Sequence, residues 1–258
     1  MKKNMLDAGH GGKDSGALGV NNVFEKDIIL DVTNRINRYL EGQDIENMNT
    51  RTTDIFLSLT ERTNNANNLG VNSFVSIHCN SSDNSTVQGL ETYCYKFQYR
   101  ALADAIQDEL IKEGLYTKNR GVKEGNLHIV RETNMPACLV ELGFITNQED
   151  YNLIMNNKDK FAKAIAKGIC KFNGVTWKES TNPDEGFANG DYSGRKAKVI
   201  VDVLNVRYDR GVEHNVIGQV KYGDILNLQY CLNGWVSIEG FKGNKGLGYV
   251  SSKYLELI

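Results

Sequence analysis

Two histidines stand where the chain leaves strand-like runs, and a glutamate lies between them. His10 sits in Asp7-Ala8-Gly9-His10-Gly11-Gly12, directly after the apolar pair Met5-Leu6. His78 closes the run Phe74-Val75-Ser76-Ile77, and Glu25 opens a helical pattern. Two neutral imidazoles and one carboxylate make a donor set suited to Zn²⁺ in a hydrolytic site, with the fourth position left to water. Such a metal lowers the pKa of its water towards neutrality. Hydrolysis also needs a proton carrier, and Glu141 is the candidate. It ends the apolar run Ala137-Cys138-Leu139-Val140, where burial would raise its pKa into the working range.

Each residue alone has a plainer reading. A glycine-flanked histidine is often a loop residue, and a strand-terminal one is often a satisfied structural side chain. Glu25 would suit a helix N-terminus through the dipole, and Glu141 could be a surface partner for Arg131. The joint pattern carries the metal reading. His128 and His214 occupy no comparable context and are read as non-ligands. Cys79 follows His78, so its thiol points to the opposite face of the strand and away from the same metal.

These residues converge only if particular elements hold them. From Glu25 to Leu40, apolar residues recur at Ile29, Val32, Ile36 and Leu40 before Gly42, which predicts a helix with one buried stripe. Ser58-Leu59-Thr60-Glu61 predicts a capping box and a second helix reaching Gly70. Further helices are expected over roughly Tyr99 to Gly114 and Asp159 to Phe172. Alternation of strands and helices up to about Thr176 predicts an α/β domain, a mostly parallel or mixed sheet flanked by helices. Convergence of the site then requires the His10 and His78 strands to lie near each other, with the Glu25 helix starting above the sheet's carboxyl edge.

Residues 176–196 are rich in Gly, Asn, Asp, Ser and Glu, which is a linker composition. Beyond them, glycine-punctuated runs at Ala197 to Arg207, Val216 to Val220, Ile225 to Tyr230, Gly234 to Ile238 and Leu247 to Tyr254 predict a small all-β barrel. The expected organisation is therefore a catalytic domain at 1–175, a linker at 176–196 and a barrel at 197–258. Tyr208, Tyr222, Tyr230, Trp235 and Tyr249 could offer stacking faces for a sugar or peptide, though core filling is the simpler role for Trp235.

The chain has 258 residues and a formal net charge of -2. With no strongly basic segment, nucleic acid is not the expected partner. Five cysteines, odd in number and without a C-x-x-C, argue against a disulfide framework or a thiolate metal site. No window approaches a membrane-spanning length, and Met1-Lys2-Lys3 reaches Asp7 before an apolar segment could form. The expectation is synthesis in the cytoplasm without a signal peptide, without membrane insertion.

Four ordered motifs resemble the zinc-dependent N-acetylmuramoyl-L-alanine amidases of the type 3 class, found in bacterial autolysins and phage endolysins. They are the His10 segment, then Thr50-Arg51-Thr52 with Leu59-Thr60-Glu61-Arg62, then Phe74 through Asn80, and finally Pro136 with Val140 through Asn147. The resemblance implies zinc held by His10, Glu25 and His78, Glu141 as the catalytic carboxylate, and cleavage between the lactyl group of muramic acid and L-alanine. Cys79 and His128 depart from the family pattern but lie outside the four key positions. Leu204 to Arg207, Gly234-Trp235-Val236 and Gly248 to Leu255 resemble a bacterial SH3-like domain, which implies wall binding. Peptidoglycan is then the partner, reached after release or membrane opening. Two alternatives stay open: a zinc peptidase or deacetylase acting on another wall bond, and a non-catalytic wall-binding protein.

Overall fold

A computed structural model describes residues 1–116, 118–179, 187, 189–212 and 214–258. The chain divides into two units, Met1–Glu179 and residues 180–258. In the first, six strands form one sheet: β1 (Lys2–Ala8), β2 (Ile45–Asn49), β3 (Ser73–Asn80), β4 (Leu90–Cys94), β5 (Asn119–Glu124) and β6 (Ala137–Phe144). Their order is β2-β1-β3-β6-β4-β5. All neighbours are parallel except β4 and β6, so the sheet is mixed.

Period-two alternation divides the strands between two cores. Leu6, Val75, Ile77, Cys138 and Val140 face three helices: α1 (Glu25–Leu40), α3 (Ala101–Lys112) and α5 (Gln148–Asn173). Met5, Phe74, Ala137 and Leu139 face the opposite way, towards α2 (Leu59–Leu69) and the one-turn α4 (His128–Arg131). By the same alternation Asp7, His78 and Glu141 share the thinner α2/α4 side, near the carboxyl edge. Cys79 falls on the α1 side and is buried there.

Ser58 caps α2 in the reciprocal box its sequence implies, and Gly70 ends the helix in the left-handed region. The last helix is longer than the periodicity from Asp159 suggests. It starts at Gln148, where Asn147 accepts the amides of Glu149 and Asp150, and it kinks at Asn157. The kink interrupts the apolar stripe, which hides the first half from a simple periodic reading. Strands β2, β4 and β5 are also additional to the expected ones. Each carries too many polar residues to announce itself.

In the second unit the strands are β7 (Gly190–Asp191), β8 (Lys196–Val199), β9 (Val203–Arg207), β10 (Val216–Lys221), β11 (Ile225–Leu232), β12 (Trp235–Ile238), β13 (Gly248–Ser251) and β14 (Leu255–Leu257). They pair in antiparallel fashion around Val199, Val206, Leu228, Val236 and Val250. The expected run from Ala197 to Arg207 is two strands, because residues 200–202 break it. Of the stretch 176–196, Trp177 packs on the first core and Lys178 exchanges hydrogen bonds with Gln43. Gly190–Asp191 pairs with β11. Residues 180–186 and 188 of that stretch lie outside the described residues.

All five cysteines are buried and unbridged. No described helix is long and apolar enough to cross a membrane.

Candidate metal centre and cleft

Strands β1 and β3 pair in parallel, with Ala8 opposite Ile77, so His10 and His78 leave the same sheet edge side by side. Their rings meet edge to face, 4.9 Å between centroids. Gly9 is required here, since a Cβ would overlap the His78 ring. Glu25, the first residue of α1, reaches the same point from the other layer. His10 Nε2 lies 3.2 Å from Glu25 Oε2, and His78 Nδ1 lies 3.1 Å from Oε1. The donor atoms of the three residues all fall within 4.8 Å of one another.

Each Glu25 oxygen is also aimed by a backbone amide: Ala17 donates to Oε2 and Cys79 to Oε1, both at 2.9 Å. Gly16, at φ 65°, lets the preceding loop approach, and a Cβ there would meet Oε2 at 2.7 Å. Burial works against the Glu25 anion, but hydrogen bonds and charge from both imidazoles hold its carboxyl well below the usual carboxylate range. For His10, burial lowers the pKa, yet Glu25 and Asp14 outweigh it and raise it from 6.5 to about 9. Asp14 Oδ2 lies 2.9 Å from His10 Nδ1. It thereby orients the ring with Nε2 towards Glu25.

Two buried guanidinium groups shape the loop that carries His10. Arg62 donates to Asp7 Oδ1 at 2.7 Å, to the Ala8 carbonyl at 2.6 Å and to the His10 carbonyl at 2.5 Å. Arg51 donates to the Ala8 and Gly9 carbonyls at 2.8 and 2.6 Å. Asp7 also accepts from Thr50 and Ser76. His10 itself takes a left-handed conformation, φ 53°. The network offsets that strain. Arg51 and Arg62 belong to segments the family resemblance singled out, but their target, the His10 loop, is visible only in three dimensions.

Glu141 stands opposite His78 in the β3/β6 register. Its Oε2 is buried and has no hydrogen-bond partner among the described residues. Burial pushes its pKa from 4.5 to about 7; His78 opposes this, while Glu25 and Glu91 reinforce it. Arg131 is committed elsewhere, to Glu132 and Asn126. The open cleft beside the histidines has a volume of about 380 Å³ and is walled by Phe56, Leu59 and Ile129 among others. His128 opens α4 with its Nε2 3.5 Å from Thr63 Oγ1, and His214 belongs to the second unit.

Residues 5–171 match the family described as N-acetylmuramoyl-L-alanine amidase. The chain belongs to the N-acetylmuramoyl-L-alanine amidase family. Residues 202–256 match the bacterial SH3 domain. Within the family, the chain is 39% identical over 174 residues to N-acetylmuramoyl-L-alanine amidase LytC of Bacillus subtilis, a match covering 65% of this chain and 34% of LytC. It is 38% identical over 173 residues to the endolysin of Bacillus phage SPP1, covering 63% of this chain and 61% of the endolysin. The match thus spans only about a third and three fifths of those relatives. The catalytic domain of CwlV from Paenibacillus polymyxa var. colistinus superposes with a TM-score of 0.66 at 36% identity, covering 68% of this chain and 100% of that one.

A larger open cavity, about 610 Å³, lies on the SH3 unit and is lined by Arg207, Trp235, Lys253 and Tyr254 among others. It gathers no set of metal donors, so size does not make it the reactive centre. Trp235 is half-buried at its rim rather than enclosed core filling. Tyr249 is 1% exposed and cannot offer a stacking face, because the small barrel uses it as interior bulk. Tyr208, Tyr222 and Tyr230 are exposed.

Proposed function

We propose that this chain hydrolyses the amide between the lactyl group of N-acetylmuramic acid and L-alanine in peptidoglycan, with His10, Glu25 and His78 holding Zn²⁺ and Glu141 moving the proton. The observation that carries the reading is the meeting of those three donors beside a buried carboxyl with an unpartnered oxygen. The donors suit zinc. Two imidazoles with one carboxylate are donors that hydrolytic zinc sites use, and one donor atom from each of the three residues lies within 4.8 Å of the others. An outer carboxylate on a ligating imidazole, as Asp14 is on His10, is the usual companion of such sites.

When bound, the ion would supply Lewis acidity, polarising the scissile carbonyl and acidifying water. The protein's own groups do the rest. Asp14 keeps the His10 Nδ1 proton in place, and the Arg51 and Arg62 guanidinium groups hold the loop behind it. Glu141, with a pKa near neutrality, accepts a proton from the attacking water and returns it to the departing alanine nitrogen. We assign residues 1–175 to catalysis, 176–196 to a connection and 197–258 to wall binding, which would raise the local concentration of an insoluble substrate. The place of action is the cell wall.

Product analysis of digested walls tests this reading. New alanine amino termini without new reducing sugar ends are expected. Internal peptide cleavage alone would indicate a peptidase, and free acetate alone a deacetylase.

A further inference from the structure

The open cavity of about 610 Å³ on the SH3 unit has a chemistry that amide hydrolysis leaves unused, and every residue lining it belongs to that unit. Strands β9, β13 and β12, adjacent in that order, all contribute to it. Val206, Val250 and Val236 on these strands turn into the barrel core. By period-two alternation Arg207, Ser251 and Trp235 therefore share the outer face. The register agrees: Trp235 stands opposite Ser251, and Arg207 opposite Tyr249, two residues earlier on β13. Lys253 joins them from the 3₁₀ turn Ser252–Tyr254.

Both cations here lack an anion. Arg207 Nη1 donates to the Val212 and His214 carbonyls, each at 2.8 Å. Its Nε and Nη2 have no partner among the described residues, and these two N–H groups form the parallel fork that receives a carboxylate side-on. The backbone thus fixes the guanidinium while leaving its bidentate edge unused. Among the described residues Lys253 Nζ meets only the Tyr254 ring, 4.6 Å from its centroid. No described residue lining the cavity is acidic. Asp202, although between two lining valines, is not part of the lining, and Glu213 lies outside the described residues. Much of the remaining wall is apolar: Val203 and Val212 line it while 51% and 73% exposed, with the half-buried Trp235 beside them. Covering such surface favours binding.

We propose that this groove captures the free carboxyl end of a peptidoglycan stem peptide, an inference that rests on the reading of the SH3 unit as a wall binder. The Arg207 fork takes the terminal carboxylate, Lys253 adds a second positive charge, and the alanine methyl groups of the stem lie against Val203, Val212 and Trp235. The charges select an anion, and the apolar wall selects a peptide. A polyol-phosphate polymer would satisfy the cations but has no aliphatic side chains to cover the valines. A stem joined to its neighbour through its terminal carboxyl group carries an amide there, which has lost both the charge and one acceptor oxygen. The SH3 unit therefore directs the chain to stretches of wall with free stem ends.

The test uses the full chain and a soluble stem tetrapeptide, which lacks the scissile amide, ending either in a carboxylate or in a carboxamide. Affinity is measured by titration calorimetry. The unmodified protein is expected to bind the acid about tenfold more tightly than the amide, the size of a partly exposed charge-assisted contact. Lys253→Met, which removes no hydrogen bond from the fold, should lose most of that preference by weakening the acid alone, and Lys253→Arg should restore it. Arg207→Lys keeps the charge but not the fork, and its affinity for the acid should fall towards that for the amide. Equal affinity for acid and amide, or a preference that survives Lys253→Met, would overturn the assignment while co-sedimentation with whole walls keeps the wall-binding reading. Poly(glycerol phosphate) binding that Lys253→Met abolishes, without any acid preference, would give the groove to a phosphodiester polymer and overturn the peptide. Failure of the unmodified chain to sediment with walls removes the wall-binding reading and the groove's role with it.

Discussion

Glu25 and Glu141 are both buried on one sheet edge, yet their surroundings drive them in opposite directions. Glu25 receives two amides and faces two imidazoles, and its carboxyl is held far below the ordinary range. Glu141 has a buried oxygen without a partner, and its pKa rises to about 7. Donors that follow a carboxylate into the interior stabilise its charge; burial without them favours the proton. One environment makes a permanent anion fit to hold a cation. The other makes a group that can take up and release a proton near neutral pH.

The sharpest way to break this contrast is to exchange the consequences of losing each residue. Glu25→Ala is expected to lose bound metal on dialysis and all wall turnover with it, read by metal content and by release of alanine amino termini. A variant that kept its metal would remove Glu25 from the donor set. Glu141→Gln is expected to retain metal while turnover drops by roughly 10²–10⁴, the usual range for a positioned acid–base group. If its activity matched the unmodified protein, the proton role would be wrong.

A smaller effect should follow one shell outward. Asp14→Ala frees the His10 ring, and zinc affinity measured by chelator competition should weaken about 10- to 100-fold. An unchanged affinity would show that Asp14 does not orient the ligand.

The smallest effect is on pH dependence. In the metal-free protein the raised His10 pKa contributes stability that is full below 6.5 and is lost as pH rises through about 9. The lowered Glu25 pKa acts the other way, its contribution being present above 4.5 and lost as pH falls. Metal binding requires neutral His10, so it releases a proton over the same window. The gap in Tm between metal-loaded and metal-free protein should therefore widen from pH 6.5 to 9. A gap that narrowed over that window would contradict the coupling between His10 and Glu25.

Much of the first unit could be read from local pattern. The stripe from Ile29 to Leu40 needs only the period of a helix, and Ser58 with Glu61 announces a helix start because both partners lie within one turn. The four motif residues were named because glycines and strand ends mark where side chains emerge. Glu91 had no such mark, being one acid within a short half-polar strand. Arg120 and Lys123 lie on β5, a segment with little apolar content, and both pair with Glu91. That pairing depends on β5 lying beside β4, and the place of Glu91 opposite Glu141 on β4 running against β6, choices made by the packing of the whole sheet.

The amino-acid order by itself determined the first two helices and the apolar strands that end near His10, His78 and Glu141, and it marked those residues and Glu25 as candidates, because helix period, strand alternation and capping act over a few residues. Only the tertiary structure decided which oxygens of Glu25 are satisfied, why Glu141 is not, and where Arg62, Arg51 and Asp14 press on the His10 loop. Those outcomes arise from hydrogen bonds and charges between segments far apart in the chain. Their strength depends on burial and distance, which exist only once the sheet has closed around them.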